Sequence, residues 1–162
     1  MPGSSTELPI VTKLKKELAE LQEELTKKLP KELEAARAHG DLSENAEYEA
    51  CKERQGFLTA RIAQLQARIR QLSLYNTSSV PRDVVGYGSF VTVEDVDTGA
   101  QATYEIVFPE EVDAGAGKIS LQSPLGKALL HRSEGDEVTV QTPRGKKVYQ
   151  ILRVLTLHDR TE

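Results

Sequence analysis

The chain has 162 residues, 38% of them hydrophobic and 28% charged, with three Phe, five Tyr and no Trp; this suits one domain or two small ones with few core aromatics. The formal net charge of −4 argues against free DNA or RNA as the main partner, because bare phosphates need a basic face. Cys51 is the only cysteine, which excludes an internal disulfide or a cysteine metal cluster and fits a reducing, cytoplasmic compartment; no signal-peptide pattern and no apolar run near the roughly 20 residues of a membrane span are found.

Residues 12–75 are dense in Leu, Ala, Glu, Lys, Gln and Arg, with glycine only at Gly40 and Gly56 and proline only at Pro30; these are strong helix formers. Leu14, Leu18, Leu21 and Leu25 recur at alternating steps of four and three, and Leu29, Leu33 and Ala36 continue the stripe after a slip of phase. Pro30 sits at the slip, which predicts a kink or local restart there. A second stripe, Tyr48, Cys51, Gln55, Leu58, Ile62, Leu65, Ile69 and Leu72, keeps the alternation strictly and reads as a heptad seam. Between the stripes, Gly40 is a natural helix stop and Asp41 a natural start. Residues 1–75 are therefore expected to form an antiparallel coiled-coil hairpin with its tip at 40–45, each arm roughly 40–45 Å long at about 1.5 Å per residue. Dimerisation through the same stripes is the alternative; the tight Gly-Asp turn favours an internal hairpin and a monomer.

From Ser73 to Pro81 the chain turns small and polar, which reads as a linker at 76–82. Beyond it, residues 90–94, 102–107, 118–121, 137–141 and 147–154 are short runs rich in Val, Ile, Thr and Tyr, the mark of strands. Pro143-Arg144-Gly145 is turn chemistry and predicts a hairpin of the last two. Ser123 followed by Pro124 opens a short helix, as cap and first helical residue. Residues 83–162 are thus expected to be a small antiparallel α+β domain, and the whole chain is of the α+β class. Gly86-Tyr87-Gly88 precedes a strand, so it reads as a turn and not a phosphate loop.

Asp41 and Glu44 lie three apart at a predicted helix start. Two readings of that spacing stand. The pair can be a capping box that satisfies free N–H groups. It can also be two oxygen donors suited to Mg²⁺, which wants about six ligands and commonly combines one or two carboxylates with waters and phosphates. On the second reading the tip is half a site, completed by another protein.

Residues 36–48 (ARAHGDLSENAEY) and 50–57 (ACKERQGF) closely resemble the hairpin tip of the bacterial Gre transcript-cleavage factors. Residues 123–130 (SPLGKALL), 134–138 (EGDEV) and 142–145 (TPRG) resemble the C-terminal half of the same family, in the same order. The resemblance covers nearly the whole chain. It departs at residues 1–8, at Ile10 where the family pattern has glycine, and at Glu49 and Cys51 where His or Ala is common. It implies a coiled-coil hairpin followed by an FKBP-like domain that docks on RNA polymerase, with Ser123, Pro124, Leu125 and Gly126 as the docking motif. The hairpin is then expected to enter the polymerase's secondary channel and to stimulate the polymerase's own cleavage of backtracked RNA. Asp41 and Glu44 match the metal-assisting pair, sharing Mg²⁺ with the polymerase, and Ser43 stands between them to orient water or metal. The chain would be an activating factor with no chemistry of its own.

Arg54, Arg61 and Arg68 fall seven apart beside the second seam, with Arg37 and Lys52 nearer the tip. They form either a cationic track for the nascent RNA 3′ end or polymerase, or cross-hairpin ion pairs with Glu17, Glu20, Glu24, Glu32 or Glu34. Other functions for the chain are a channel-blocking relative, which should have an altered tip, a coiled-coil spacer, and a prolyl isomerase or chaperone, which should have an aromatic-lined apolar pocket.

Overall fold

The computed structural model describes residues 7–38 and 42–160, the side chains of 42–45 excepted. The chain divides into two compact units, Met1–Tyr75 and Asn76–Glu162.

The first unit is helical: α1 (Pro9–Glu23), a π-helical segment (Glu24–Lys28), α2 (Leu29–Ala38) and α3 (Leu42–Ser73). Pro9 stands at the start of α1, where its missing N–H has no intrahelical role. The heptad positions of α3 pack as their spacing predicts. Leu58, Ile62, Leu65, Ile69 and Leu72 are buried, and Tyr48, Cys51 and Gln55 are half-buried. Val11, Leu14, Leu29 and Ala36 are buried on the opposing arm, and both α1 and α2 pack on α3. Ile10, the departure from the family pattern, is also buried. Arg54 pairs with Glu24 and Arg61 with Glu17, so one arm descends in number as the other rises: the hairpin is antiparallel.

The slip of phase in the first stripe has a definite form. After Leu25 the alternation calls for an apolar residue at position 28, but Lys28 stands there and Leu29 follows. One surplus residue must be accommodated without turning the stripe away from α3. The π segment does this: the Leu29 N–H reaches the Glu24 carbonyl, five residues back, and such a bulge takes up one residue while leaving the downstream phase unchanged. Pro30 comes directly after and lacks the N–H that would continue the ladder. Deleting the exposed Lys27 should therefore restore a strict heptad. The expected result is unchanged helical circular dichroism and a melting midpoint that is the same or higher by a few degrees. A fall in both would show that the π segment is not an absorbed insertion.

The second unit is built on a five-stranded sheet in the order β3-β2-β1-β5-β4, with β1 Phe90–Asp95, β2 Gln101–Val107, β3 Lys118–Ser120, β4 Glu137–Thr142 and β5 Gly145–Leu155. All five predicted strands are present and the sheet is mostly antiparallel. The one parallel pair is β2 with β3, in register Glu105 to Lys118, because the connection runs through two short 3-10 turns and returns in the same direction. The β4–β5 hairpin closes with Thr142 opposite Gly145; Gly145 has φ 116°, and the Thr142 hydroxyl donates to the Gly145 carbonyl at 2.6 Å. A bulge in β5 opposite Thr92/Val93 leaves Leu152 partly exposed.

One face of the sheet carries the core: Val85, Val91, Val93, Ile106, Leu129, Val138 and Ile151, all buried. Each such side chain contributes about 1.5–3 kcal/mol relative to exposure. The helix α4 (Pro124–Leu129) supplies Leu129 to this core. The residues 134–138 motif is a turn that leads into β4: Gly135 has φ 90°, its N–H donates to the Ile151 carbonyl at 2.8 Å, and the Asp136 carboxylate accepts from the Ser133 N–H. In 76–82, Asn76 caps a 3-10 turn at Thr77–Ser79, Val80 is buried, and the Val80 carbonyl accepts from His158 Nε2 at 2.8 Å. The last helix, α5 (Leu157–Arg160), is held by Arg160, which donates to the Gly88 carbonyl at 2.7 Å and pairs with Glu105.

Candidate functional site

α3 begins at Leu42, which places Ser43 and Glu44 in its first turn, where the helix dipole favours a carboxylate. Asp41 lies outside the described residues, and so do the side chains of Ser43 and Glu44. What the chain brings to this end is therefore a donor set: two carboxylates and a hydroxyl within four consecutive residues. Hard oxygen donors fit Mg²⁺, and their number falls far short of a closed shell of about six. The residues suit a contribution to a metal held jointly with another molecule.

The predicted basic residues divide by position. Arg54 makes a two-point contact with Glu24, Nε at 2.7 Å and Nη2 at 2.9 Å, and this guanidinium holds the Glu24 carboxyl below its ordinary range. The two-point geometry fixes orientation as well as charge. Arg61 reaches Glu17 at 3.0 Å, and Arg68 donates to Gln71. Arg54 and Arg61 thus pair across the hairpin, while the Arg54 guanidinium also lies 5.1 Å from the exposed Phe57 ring. Nearer the tip, Lys52 is exposed. Arg37 donates to the Tyr48 hydroxyl at 3.3 Å and sits 5.7 Å from its ring centre.

In the second unit the four motif residues have separate tasks. The Ser123 hydroxyl donates to the Ser120 carbonyl at 2.7 Å and accepts from the Gly126 N–H at 3.0 Å. Pro124 is the first residue of α4. Gly126 is buried against the β3 backbone; a Cβ there would collide with the Ser120 carbonyl oxygen and lie 3.0 Å from its carbon. Ser123, Pro124 and Leu125 line an apolar cleft of about 420 Å³, together with Val112, Ala114 and Ile119 on one side and Val140, Pro143 and Tyr149 on the other. Tyr149 is its only aromatic lining residue. Tyr87 and Phe108 instead stack on each other at 4.4 Å, and the Tyr87 hydroxyl donates to Glu111. The aromatic-lined pocket that a prolyl isomerase needs is not formed by these side chains.

Comparison with known proteins decides the family. Residues 80–156 match Transcription elongation factor, GreA/GreB, C-term, and residues 10–73 match Transcription elongation factor, N-terminal. The chain belongs to the GreA/GreB family. It is 45% identical over 143 residues to transcription elongation factor GreA of Maridesulfovibrio salexigens, covering 88% of this chain and 89% of that one. It is likewise 45% identical over 144 residues to GreA of Anaeromyxobacter sp., covering 89% and 87%. The crystal structure of GreA factor homolog 1 (Gfh1) of Thermus thermophilus aligns over 89% of this chain and 93% of that chain, at 29% identity and a TM-score of 0.40. The GreA/GreB matches take in both arms of the hairpin, the tip sequence and the whole cleft. No helix among the described residues is long and apolar enough to cross a membrane.

Sequence reasoning placed Tyr48 in the seam without giving it a partner, and it found the SPLG motif without the cleft. The available signal was Gly126 itself. A glycine inside a six-residue helix gives up about 0.5–1 kcal/mol relative to alanine, so its presence points to a close approach of backbone.

Proposed function

We propose that this GreA/GreB chain binds RNA polymerase through the cleft beside Ser123–Leu125, inserts its hairpin into the secondary channel, and stimulates the polymerase's own cleavage of backtracked RNA. The observation that carries the reading is the seam of α3. It is buried from Leu58 to Leu72 and half-buried at Tyr48, Cys51 and Gln55, and Arg54 and Arg61 are paired across it. The arginines along the arms are thus engaged with Glu17 and Glu24, while the GreA/GreB N-terminal match spans the tip sequence that carries Asp41 and Glu44. Asp41 and Glu44 would hold Mg²⁺ together with polymerase groups, and bound there the metal would supply positive charge to the phosphodiester oxygens during hydrolysis. Ser43 would orient a water in the same place. Lys52 and Arg37, nearest the tip, would meet the nascent RNA 3′ end. The protein would act in the cytoplasm as a monomer and perform no reaction alone.

The direct test is RNA cleavage in stalled, backtracked elongation complexes with and without the protein. Faster release of 3′ fragments is expected. The separated pieces should divide the work: residues 83–162 compete with the full chain for polymerase without stimulating cleavage, and residues 1–75 stimulate poorly. A chain that binds polymerase but slows cleavage would indicate a channel blocker instead.

A further inference from the structure

Arg37 is the penultimate residue of α2 and Tyr48 lies six residues after the start of α3, so their contact joins the two helix ends that flank residues 39–41. Tyr48 is the half-buried seam position nearest the tip. In the sequence Glu44 and Asp41 precede it by four and seven residues. Arg37 holds Tyr48 by a hydrogen bond at 3.3 Å and by the ring face at 5.7 Å. Its partner in this contact is a phenol and not a carboxylate. The contact therefore orients the positive charge without cancelling it, unlike those of Arg54 and Arg61.

We infer that Arg37 and Tyr48 form a positioning pair: the guanidinium and the phenol lock the rotation of the start of α3 against the end of α2 and so set where the tip carboxylates point. The inference rests on the cleavage reading above, and it assigns Arg37 a role within the hairpin ahead of any contact with RNA. Misplacement of a catalytic group by about 1 Å can cost a hundredfold in rate, so even an exposed contact has leverage at this place.

The pair can be tested with the full chain. Tyr48→Phe removes the hydroxyl and keeps the ring in the seam. Arg37→Gln removes the charge, and Arg37→Lys keeps the charge but loses the planar guanidinium, which a lysine does not replace. Each single variant should lower the maximal rate of stimulated cleavage by about tenfold and raise the Mg²⁺ needed for half-maximal rate. The protein concentration giving half-maximal effect should not change. Arg37→Gln combined with Tyr48→Phe should be no worse than either alone, as expected for residues acting together. Additive losses, or Tyr48→Phe and Arg37→Lys at the parental rate beside an impaired Arg37→Gln, would overturn the pair in favour of direct contact between Arg37 and RNA. A polymerase-free readout separates this from the broader reading. Amide hydrogen exchange at residues 46–50 should rise equally in Tyr48→Phe and Arg37→Gln. Unchanged exchange overturns the inference, whereas failure of the parent protein to stimulate cleavage overturns the proposed function and leaves the exchange result to decide the pair.

Discussion

Asp41→Asn and Glu44→Gln, each made alone, should leave polymerase binding intact and reduce stimulated cleavage by about ten- to a hundredfold, each tenfold corresponding to about 1.4 kcal/mol of transition-state stabilisation. The substitutions keep shape and remove charge. Asparagine caps a helix about as well as aspartate, so a pair that served only to cap α3 would tolerate the first change entirely. A joint metal site would not, because an amide oxygen is a poor substitute for a carboxylate ligand of Mg²⁺ and the partial shell has no donor to spare. Raising Mg²⁺ should recover part of the rate, since the defect lies in occupancy. Binding is followed by competition with residues 83–162, and cleavage by fragment release at limiting Mg²⁺. If both charge-neutral variants match the parent under those conditions, the carboxylates are caps and the metal role is lost.

Gly126→Ala should destabilise the second unit by about 1–3 kcal/mol, the usual range for overpacking a close contact, and lower its melting midpoint by roughly 4–24 °C. The sign is the informative part. Propensity alone predicts that alanine in a helix is better than glycine by about 0.5–1 kcal/mol. Here the added methyl would meet the backbone of Ser120, which has no rotamer by which to move aside. To relieve the clash, α4 must lift from β3. That breaks the Ser123 hydroxyl bridge and opens the wall of the cleft. Ser123→Ala is the milder comparison, losing a cap worth about 1 kcal/mol but adding no atom. Calorimetry should show the change in the transition of the second unit while the helical signal of the hairpin melts as in the parent, and polymerase competition should weaken in step. A stability gain in Gly126→Ala would mean that the close packing of α4 on β3 is misjudged.

Much of this architecture was legible in the order of residues because burial is periodic. The seam from Tyr48 to Leu72 and the alternation in β1 follow directly from side chains that must face one way. The π segment was visible only as a slip. The neighbouring proline suggested a kink, yet the cause is the extra residue ahead of it, and spacing alone does not say whether a helix kinks or bulges. The parallel pairing of β3 could not be read at all, since three residues carry too little pattern to specify a partner. For Arg54 and Arg61 the sequence left ion pairs and an RNA track equally open; the pairs with Glu24 and Glu17 depend on the register of the two arms, which the local sequence does not state. The carboxylate pair is the reverse case. Its spacing fits a cap as well as a metal, and what favours the metal is the family match that spans residues 10–73.

The bridge from Ser120 through Ser123 to Gly126 has one more consequence. It consists of two main-chain groups and a single hydroxyl, so the outline of the cleft is inherited from the backbone, whereas its wall side chains, Val112, Leu125 and Val140 among them, come from separate elements. A substitution in one wall therefore changes the lining of the cleft without rebuilding the fold that presents it. Shape and surface chemistry are thus encoded in different residues: the walls can be varied one side chain at a time while Ser123 and Gly126 keep the outline.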